Sequence, residues 1–159
     1  MSNDLAAKLR LGLQELSRVR DELVGLSIAT RDSADVIKRS AACAMLHSFY
    51  TEIEKLLKLI AIEYDGSMPR LEYWHRELLH QMSSPTPTRP AVLSASCVES
   101  LSEFLAFRHL FRGASILLMR WDKLAPLLGK VAQAHVQTAS EIETFIALVL
   151  TPTPPDSAA

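Results

Sequence analysis

Two arginines and a histidine stand close together in the most informative stretch of the sequence, Phe104 to Asp122. Arg108 and Arg112 are four residues apart, so on a helix their guanidinium groups can point the same way. Such a pair suits a phosphate, because each guanidinium can donate two parallel hydrogen bonds to it. His109 adds a side chain that titrates near neutral pH and can carry protons. Arginines at this spacing also occur on ordinary amphipathic helices, solvated or paired with carboxylates, so both interpretations stand at this point.

The composition limits the classes of function that the chain can have. Its 159 residues include 17 Lys and Arg against 18 Asp and Glu, for a net charge of −1. The chain as a whole therefore does not attract nucleic acid, and any RNA contact must come from a local patch. No apolar run reaches the roughly 18 residues of a membrane span, and the first residues do not resemble a signal peptide. We expect a cytoplasmic protein that does not enter a membrane.

The elements that must position these residues are helices. Apolar residues recur at three- and four-residue steps and predict five amphipathic helices. We expect them at Leu5 to about Leu26, about Ala34 to Tyr64, Leu71 to Met82, about Ser94 to Leu118, and Trp121 or Asp122 to about Leu150. Short connections favour an all-α antiparallel bundle that forms one domain over residues 1–150. Three prolines predict a stiff, extended and exposed linker at Ser83 to Pro90, and residues 151–159 are expected to form a disordered tail.

Several other polar residues have ordinary structural interpretations. Glu54 and Lys58 are one turn apart and predict a helix-surface pair worth a few tenths of a kcal/mol. His75 and His80 are five residues apart, which is poor spacing for one metal ion, so no metal site is expected. His47 is expected to face solvent or a partner helix. Cys43 and Cys97 fall within apolar helical patterns, which favours buried, reduced thiols over a disulfide.

The chain resembles the HepT-like branch of the HEPN domains in four blocks, whose order and spacing agree. The blocks are HSFYTEIEKLLKLIA at 47–61, WHRELLHQM at 74–82, RPAVLSASCVESLSEFLAFRHLFRGAS at 89–115 and WDKL at 121–124. The resemblance implies an α-helical bundle that forms a homodimer. It also implies the toxin half of a bacterial toxin–antitoxin pair, with a small MNT-type nucleotidyltransferase as antitoxin. Such toxins are endoribonucleases that use neither a metal ion nor another cofactor, and their substrate is RNA.

The family motif is only partly present. It consists of an arginine, a polar residue, three further residues, a histidine, any residue and a tyrosine. Carried over, Arg108 and His109 fill the first two positions and are the candidate catalytic residues, with Arg108 implied to stabilise the charge of the reacting phosphate. Gly113 and Ser115 stand where the histidine and the tyrosine are expected. Arg112, which the HepT-like branch often carries and which can bind RNA phosphate, is present. Since glycine cannot transfer a proton, the resemblance implies weak or lost cleavage, with His109 as the candidate substitute.

Two functions therefore remain open from the sequence. One is an endoribonuclease toxin that is weakened or works through His109, which lies one turn, about 6 Å, from position 113. The other is a catalytically inactive HEPN dimer that binds RNA or a nucleotidyltransferase partner. Gly113 either permits close approach of two helices or marks a site that has lost its histidine, naturally or by engineering. Ser115 retains a hydroxyl where the family's tyrosine can receive AMP from the partner enzyme, although a plain surface serine is the simpler interpretation.

Overall fold

The architecture is a bundle of helices, seen in a computed structural model that describes residues 3–29, 35–70, 72–113 and 119–150. The helices are α1 (Asn3–Ala29), α2 (Val36–Ile60), α3 (Trp74–Ser83), α4 (Ala95–Gly113) and α5 (Trp121–Leu150), and a π-helical turn (Ala61–Asp65) extends α2. The described residues contain no strand beyond one isolated bridge between Thr86 and Arg89. The prediction of an all-α bundle with five helices is thereby confirmed.

Three long helices, α1, α2 and α5, contribute most of the buried core residues. Among them, α1 packs along both α2 and α5. Leu9, Leu16 and Leu23 recur every seven residues on α1 and have no exposed surface. This period keeps one stripe of the helix facing its neighbours. At Gly12 the contact with α2 is so close that a β-carbon would lie 2.5 Å from Cδ2 of Leu56.

The helix that carries the candidate site, α4, lies against α2 and α3. Its apolar side includes Phe104, whose ring lies 5.3 Å from that of Phe49 on α2. The described part of α4 ends at Gly113, so its predicted continuation to about Leu118 lies outside the described residues, as do Ser115 and the tail at 151–159. Packing of α4 against α2 and α3 therefore fixes the position of the first two motif residues, Arg108 and His109.

The proline-containing segment at Ser83 to Pro90 is exposed over most of its length, as predicted, but it forms a turn closed by a bridge between Thr86 and Arg89 instead of an extended linker. The side chain of Arg89 is fully buried and makes two hydrogen bonds to Asp65, Nε to Oδ1 at 2.9 Å and Nη2 to Oδ2 at 2.7 Å. It also donates to the backbone carbonyls of Ser84 and Pro90. The buried arginine therefore ties the segment to the end of the α2 extension, where Gly66 has φ +66°.

Two further expectations concern the cysteines and membranes. Cys43 and Cys97 are buried free thiols, as predicted. Burial raises the pKa of both thiols, and that of Cys97 reaches about 12, so neither is a reactive thiolate at neutral pH. Among the described helices, none is both long enough and apolar enough to cross a membrane.

Candidate phosphate-binding site on the fourth helix

A buried chain of polar side chains connects three helices around Arg108. Oε2 of Glu54, on α2, lies 2.5 Å from Nδ1 of His75, near the start of α3. Nε2 of the same imidazole lies 3.0 Å from Nη1 of Arg108 on α4. Lys58, one turn after Glu54, places its ammonium 3.4 Å from Oε1 and 4.2 Å from the ring centre of Trp74. The chain of contacts therefore begins at the half-buried Lys58 on α2, continues through Glu54 and His75, and ends at Arg108, the arginine of the family motif.

The hydrogen bonds determine which nitrogen of His75 carries the proton. A guanidinium can only donate, so Nε2 must accept from Arg108 and must be unprotonated. Nδ1 then carries the hydrogen and donates it to Glu54. Burial lowers the pKa of His75, the bond to Glu54 opposes that effect, and the charge of Arg108 lowers the pKa further. The imidazole is thus neutral at pH 7, and it orients the guanidinium.

Arg108 is positioned by this chain but is not saturated by it. The residue is 9% exposed, and its Nε is buried without a hydrogen-bond partner. Within the part of the chain that the structure describes, His75 is the one side chain that accepts from its guanidinium. Since an arginine has five N–H donors, a fixed guanidinium with donors left over can bind an anion that reaches it. The catalytic role that the resemblance implies for Arg108, stabilisation of charge on a reacting phosphate, would require a guanidinium fixed in this way.

His47 lies beside both arginines, a position that sequence reasoning did not identify as part of the site. It is half-buried on α2, and its ring centre is 5.5 Å from that of Phe111 on α4. Of its two predicted surroundings, the partner helix is therefore the one observed. Burial lowers the pKa of His47, and the charges of Arg108 and Arg112 lower it further. A neutral, partly accessible imidazole thus accompanies the two arginines that could bind phosphate.

His109 faces a different neighbour. Its ring meets that of His75 edge-on at 5.6 Å, and the residue borders a groove together with Tyr73 and Arg76. It is exposed, as is Arg112. The candidate substitute for the missing histidine is therefore directed towards α3.

Gly113 is the last described residue of α4, and it is exposed. A β-carbon built there would meet nothing within 4 Å. Close approach of two helices in the same chain therefore does not explain this glycine among the described residues. A β-carbon can therefore be introduced at position 113 without a steric clash with the residues that the structure describes.

A second buried histidine, His135 on α5, has a purely structural arrangement. Arg20 donates from Nη1 to Nδ1 of His135 over 2.9 Å, so Nε2 carries the proton. That proton is donated to Oγ of Ser17, whose own hydroxyl donates to the carbonyl of Leu13. Because the basic nitrogen is occupied by Arg20, this serine–histidine pair cannot activate a nucleophile. It instead fastens α1 to α5.

The sequence identified Arg108, His109 and Arg112, but it gave Glu54 only a helix-surface pair with Lys58 and considered His75 only as a metal ligand. Both are buried, with 2% and 4% of their surface exposed. The sequence held a signal for Glu54, which lies four residues after Tyr50 and three before Leu57, both buried, and so shares their side of α2. Within the described ranges, no three residues among His, Cys, Asp and Glu are grouped so that they could hold a metal ion.

Comparison with known proteins identifies the family of the chain. Residues 41–149 match the family model described as HepT-like protein, and this range contains α3, α4, nearly all of α5 and most of α2. Comparison with the curated proteins and with the solved structures gives no significant match. The matched range covers more than half of the chain and includes every residue of the Arg108 network. The chain therefore belongs to the HepT-like family, consistent with a HEPN domain.

Proposed function

We propose that the chain is the HEPN toxin of a bacterial toxin–antitoxin pair, that it binds RNA phosphate through Arg108 and Arg112, and that its metal-independent endoribonuclease activity is weak or lost. The proposal depends on one contrast within the site. The buried chain from Glu54 to Arg108 that fixes the arginine is complete. Gly113, where the family has its histidine, has no side chain to transfer a proton.

The chemistry explains why this combination disables cleavage rather than binding. RNA cleavage by this route deprotonates the 2′-hydroxyl, stabilises the charge of the phosphorane and protonates the 5′-oxygen. A fixed arginine supplies the charge stabilisation. A positioned acid–base group contributes roughly 100- to 10,000-fold in rate, which is the factor expected to be missing here. His109 does not replace it in place, because its ring lies against His75 on the α3 side.

The family role also includes an assembly, which we propose for this chain. The protein acts in the cytoplasm as a homodimer and binds an MNT-type nucleotidyltransferase as its antitoxin. The surface of α4 next to the site supports a protein contact, because Leu110 is 52% exposed and Phe111 is only partly buried. Exposed apolar residues beside a functional site are typical of interaction surfaces.

The direct test compares the purified chain with its Gly113→His/Ser115→Tyr variant on single-stranded RNA in the absence of metal ions. We expect the variant to produce fragments with 2′,3′-cyclic phosphate ends at a rate at least about 100-fold above the parent. Arg112→Ala in the repaired background should weaken RNA binding, and because this side chain is exposed the fold should be unaffected. Equal cleavage by parent and repaired chain would overturn the assignment of Gly113 as the disabling position.

Two histidines then compete as the source of any activity in the parent. His47 lies beside both arginines, whereas His109 lies in the groove towards α3. If the parent does cleave RNA, His47→Ala and His109→Ala identify the residue responsible. Loss of cleavage in His109→Ala alone would support the substitution expected from the sequence, and loss in His47→Ala alone would assign the proton transfer to α2.

The second candidate function is a catalytically inactive dimer that serves as a binding module for RNA or for the nucleotidyltransferase. It is favoured by the open space at Gly113, where no side chain among the described residues lies within 4 Å of a β-carbon. It requires a stable complex with an MNT-type nucleotidyltransferase on co-purification, together with normal growth of cells that express the chain alone. Growth arrest that disappears in an Arg112→Ala variant would contradict it.

A further inference from the structure

A groove of about 390 Å³ lies next to the candidate site, between α4 and the segment that leads into α3. One wall consists of α4 residues at helical spacing, among them Ser102, Leu105 and His109. The opposite wall is formed by Glu72, Tyr73 and Arg76. A volume of this size falls within the range of sites that bind small organic groups.

The groove combines a flat apolar surface with polar groups. Tyr73 is 61% exposed, which is unusual for a large aromatic residue. The guanidinium carbon of Arg76 lies 5.7 Å from the centre of that ring. Leu105, which is 5% exposed, gives the groove an apolar floor. An exposed aromatic ring accompanied by an arginine is the arrangement on which single-stranded nucleic acids stack their bases.

From this arrangement we infer that the groove binds one unpaired base of a single-stranded RNA, next to the phosphate held by Arg108 and Arg112. The inference rests on the proposed function, because it adds a base subsite to the same RNA site. The carboxylate of Glu72 disfavours a phosphate in the groove itself but can accept a hydrogen bond from the amino group of a base such as adenine.

His109 lies between the groove and the phosphate site. His109 borders the groove and also meets the ring of His75, the residue that holds Arg108. A strand that stacks a base on Tyr73 therefore passes His109 before its backbone reaches the arginine. This gives His109 a role in the path of the strand that does not require it to transfer a proton.

The test uses two fluorescent octamers of equal charge that cannot be cleaved: 2′-O-methyl oligoadenylate and an abasic octamer. Binding is measured by fluorescence anisotropy for the parent, Tyr73→Ala, Tyr73→Phe and a control, Val136→Ala, which removes an equally exposed apolar side chain on α5. Tyr73→Ala should weaken oligoadenylate binding about 5- to 150-fold, the loss expected for one base–aromatic stack. Tyr73→Phe and Val136→Ala should stay within about twofold of the parent, since both keep the aromatic ring.

The abasic octamer and Arg112→Ala separate this inference from the proposed function. If Tyr73→Ala weakens both octamers equally, or neither, the groove does not bind a base and the inference is overturned. Phosphate binding still stands in that case, provided that Arg112→Ala weakens both. If the parent binds neither octamer, the base subsite and the proposed RNA function fall together. Selective loss of oligoadenylate binding in Tyr73→Ala supports both.

Discussion

Replacing Glu54 with alanine tests whether the polar chain around Arg108 acts as one buried unit. The carboxylate accepts from His75 through Oε2 and faces Lys58 through Oε1, with its side chain 3% exposed. The same helix offers a matched control in Glu52, which pairs with Lys55 at 2.7 Å but has a side chain that is 24% exposed. The two substitutions remove the same residue type from the same helix, so their difference isolates the buried contacts.

The expected difference is large. Removing one partner from a buried charged network costs about 3–5 kcal/mol, because the remaining polar groups are left without partners in a low-dielectric interior. Loss of a surface ion pair costs about 0–1 kcal/mol. The gain in helix propensity from glutamate to alanine is the same at both positions and cancels in the comparison. Glu54→Ala should therefore lower the free energy of unfolding by about 2–5 kcal/mol more than Glu52→Ala.

The assay is urea unfolding followed by helical circular dichroism, at pH 7.5 and at one protein concentration, since any dimerisation would make stability depend on concentration. A shift of the midpoint at constant slope measures the change in stability. The reasoning would be refuted if the two variants lost the same free energy to within about 0.5 kcal/mol. A second check is the Glu54→Ala/His75→Ala double variant, whose loss should be clearly smaller than the sum of the single losses, because both remove the same contacts.

Two further predictions concern packing and pH. Gly12→Ala should lower the melting temperature, because the new methyl would lie 2.5 Å from a buried carbon of Leu56. Gly25→Ala has nothing within 4 Å of the new methyl and should raise the free energy of unfolding by about 0.5–1 kcal/mol. Equal melting temperatures of the two variants would contradict the close contact at Gly12. Burial lowers the pKa values of His75 and His135, so below about pH 6.5 the unfolded chain binds more protons than the folded chain. The stability that depends on the neutral histidines is therefore present above that pH and is lost as the pH falls towards the folded-state pKa values. Unfolding in urea at pH 7.5 and 5.5 should show this loss, and His135→Gln should reduce it; a pH dependence that the variant leaves unchanged would be the opposite result.

Local periodicity was sufficient to predict the helices. The bounds of α5 agree with the expected Trp121 or Asp122 to Leu150, because its apolar pattern continues without a break. Pro126 lies in the second turn, where it cannot donate a helical hydrogen bond, and the helix continues past it. The α-helical part of α2 ends at Ile60, four residues before the predicted end at Tyr64, because the chain continues in a π-helical turn. A change from four- to five-residue hydrogen bonding leaves the apolar spacing almost intact, so periodicity cannot reveal it.

Long-range polar pairing was not predictable in the same way. His75 is 21 residues from Glu54 and 33 residues from Arg108 along the chain. Composition favours the surface for a glutamate, and only a complete set of partners makes its burial stable. The segment at Ser83 to Pro90 shows the same limit, because its prolines indicate a linker while the ion pair of Arg89 with Asp65 turns it into a fixed part of the bundle.

The presence of Arg108 does not by itself distinguish an active nuclease from a binding module. Nε2 of His75 accepts its hydrogen bond from this arginine, so removing the guanidinium would leave a buried imidazole nitrogen unpaired and disturb the bond to Glu54. The fold thus has its own reason to keep the arginine, whether or not RNA is cleaved. Position 113 has no such constraint, because nothing in the described chain contacts a side chain there. A histidine can therefore be lost from this position without leaving a packing defect among the described residues, and a β-carbon can be restored there without touching them. The repaired variant for this reason separates the two functions where substitution of Arg108 would not.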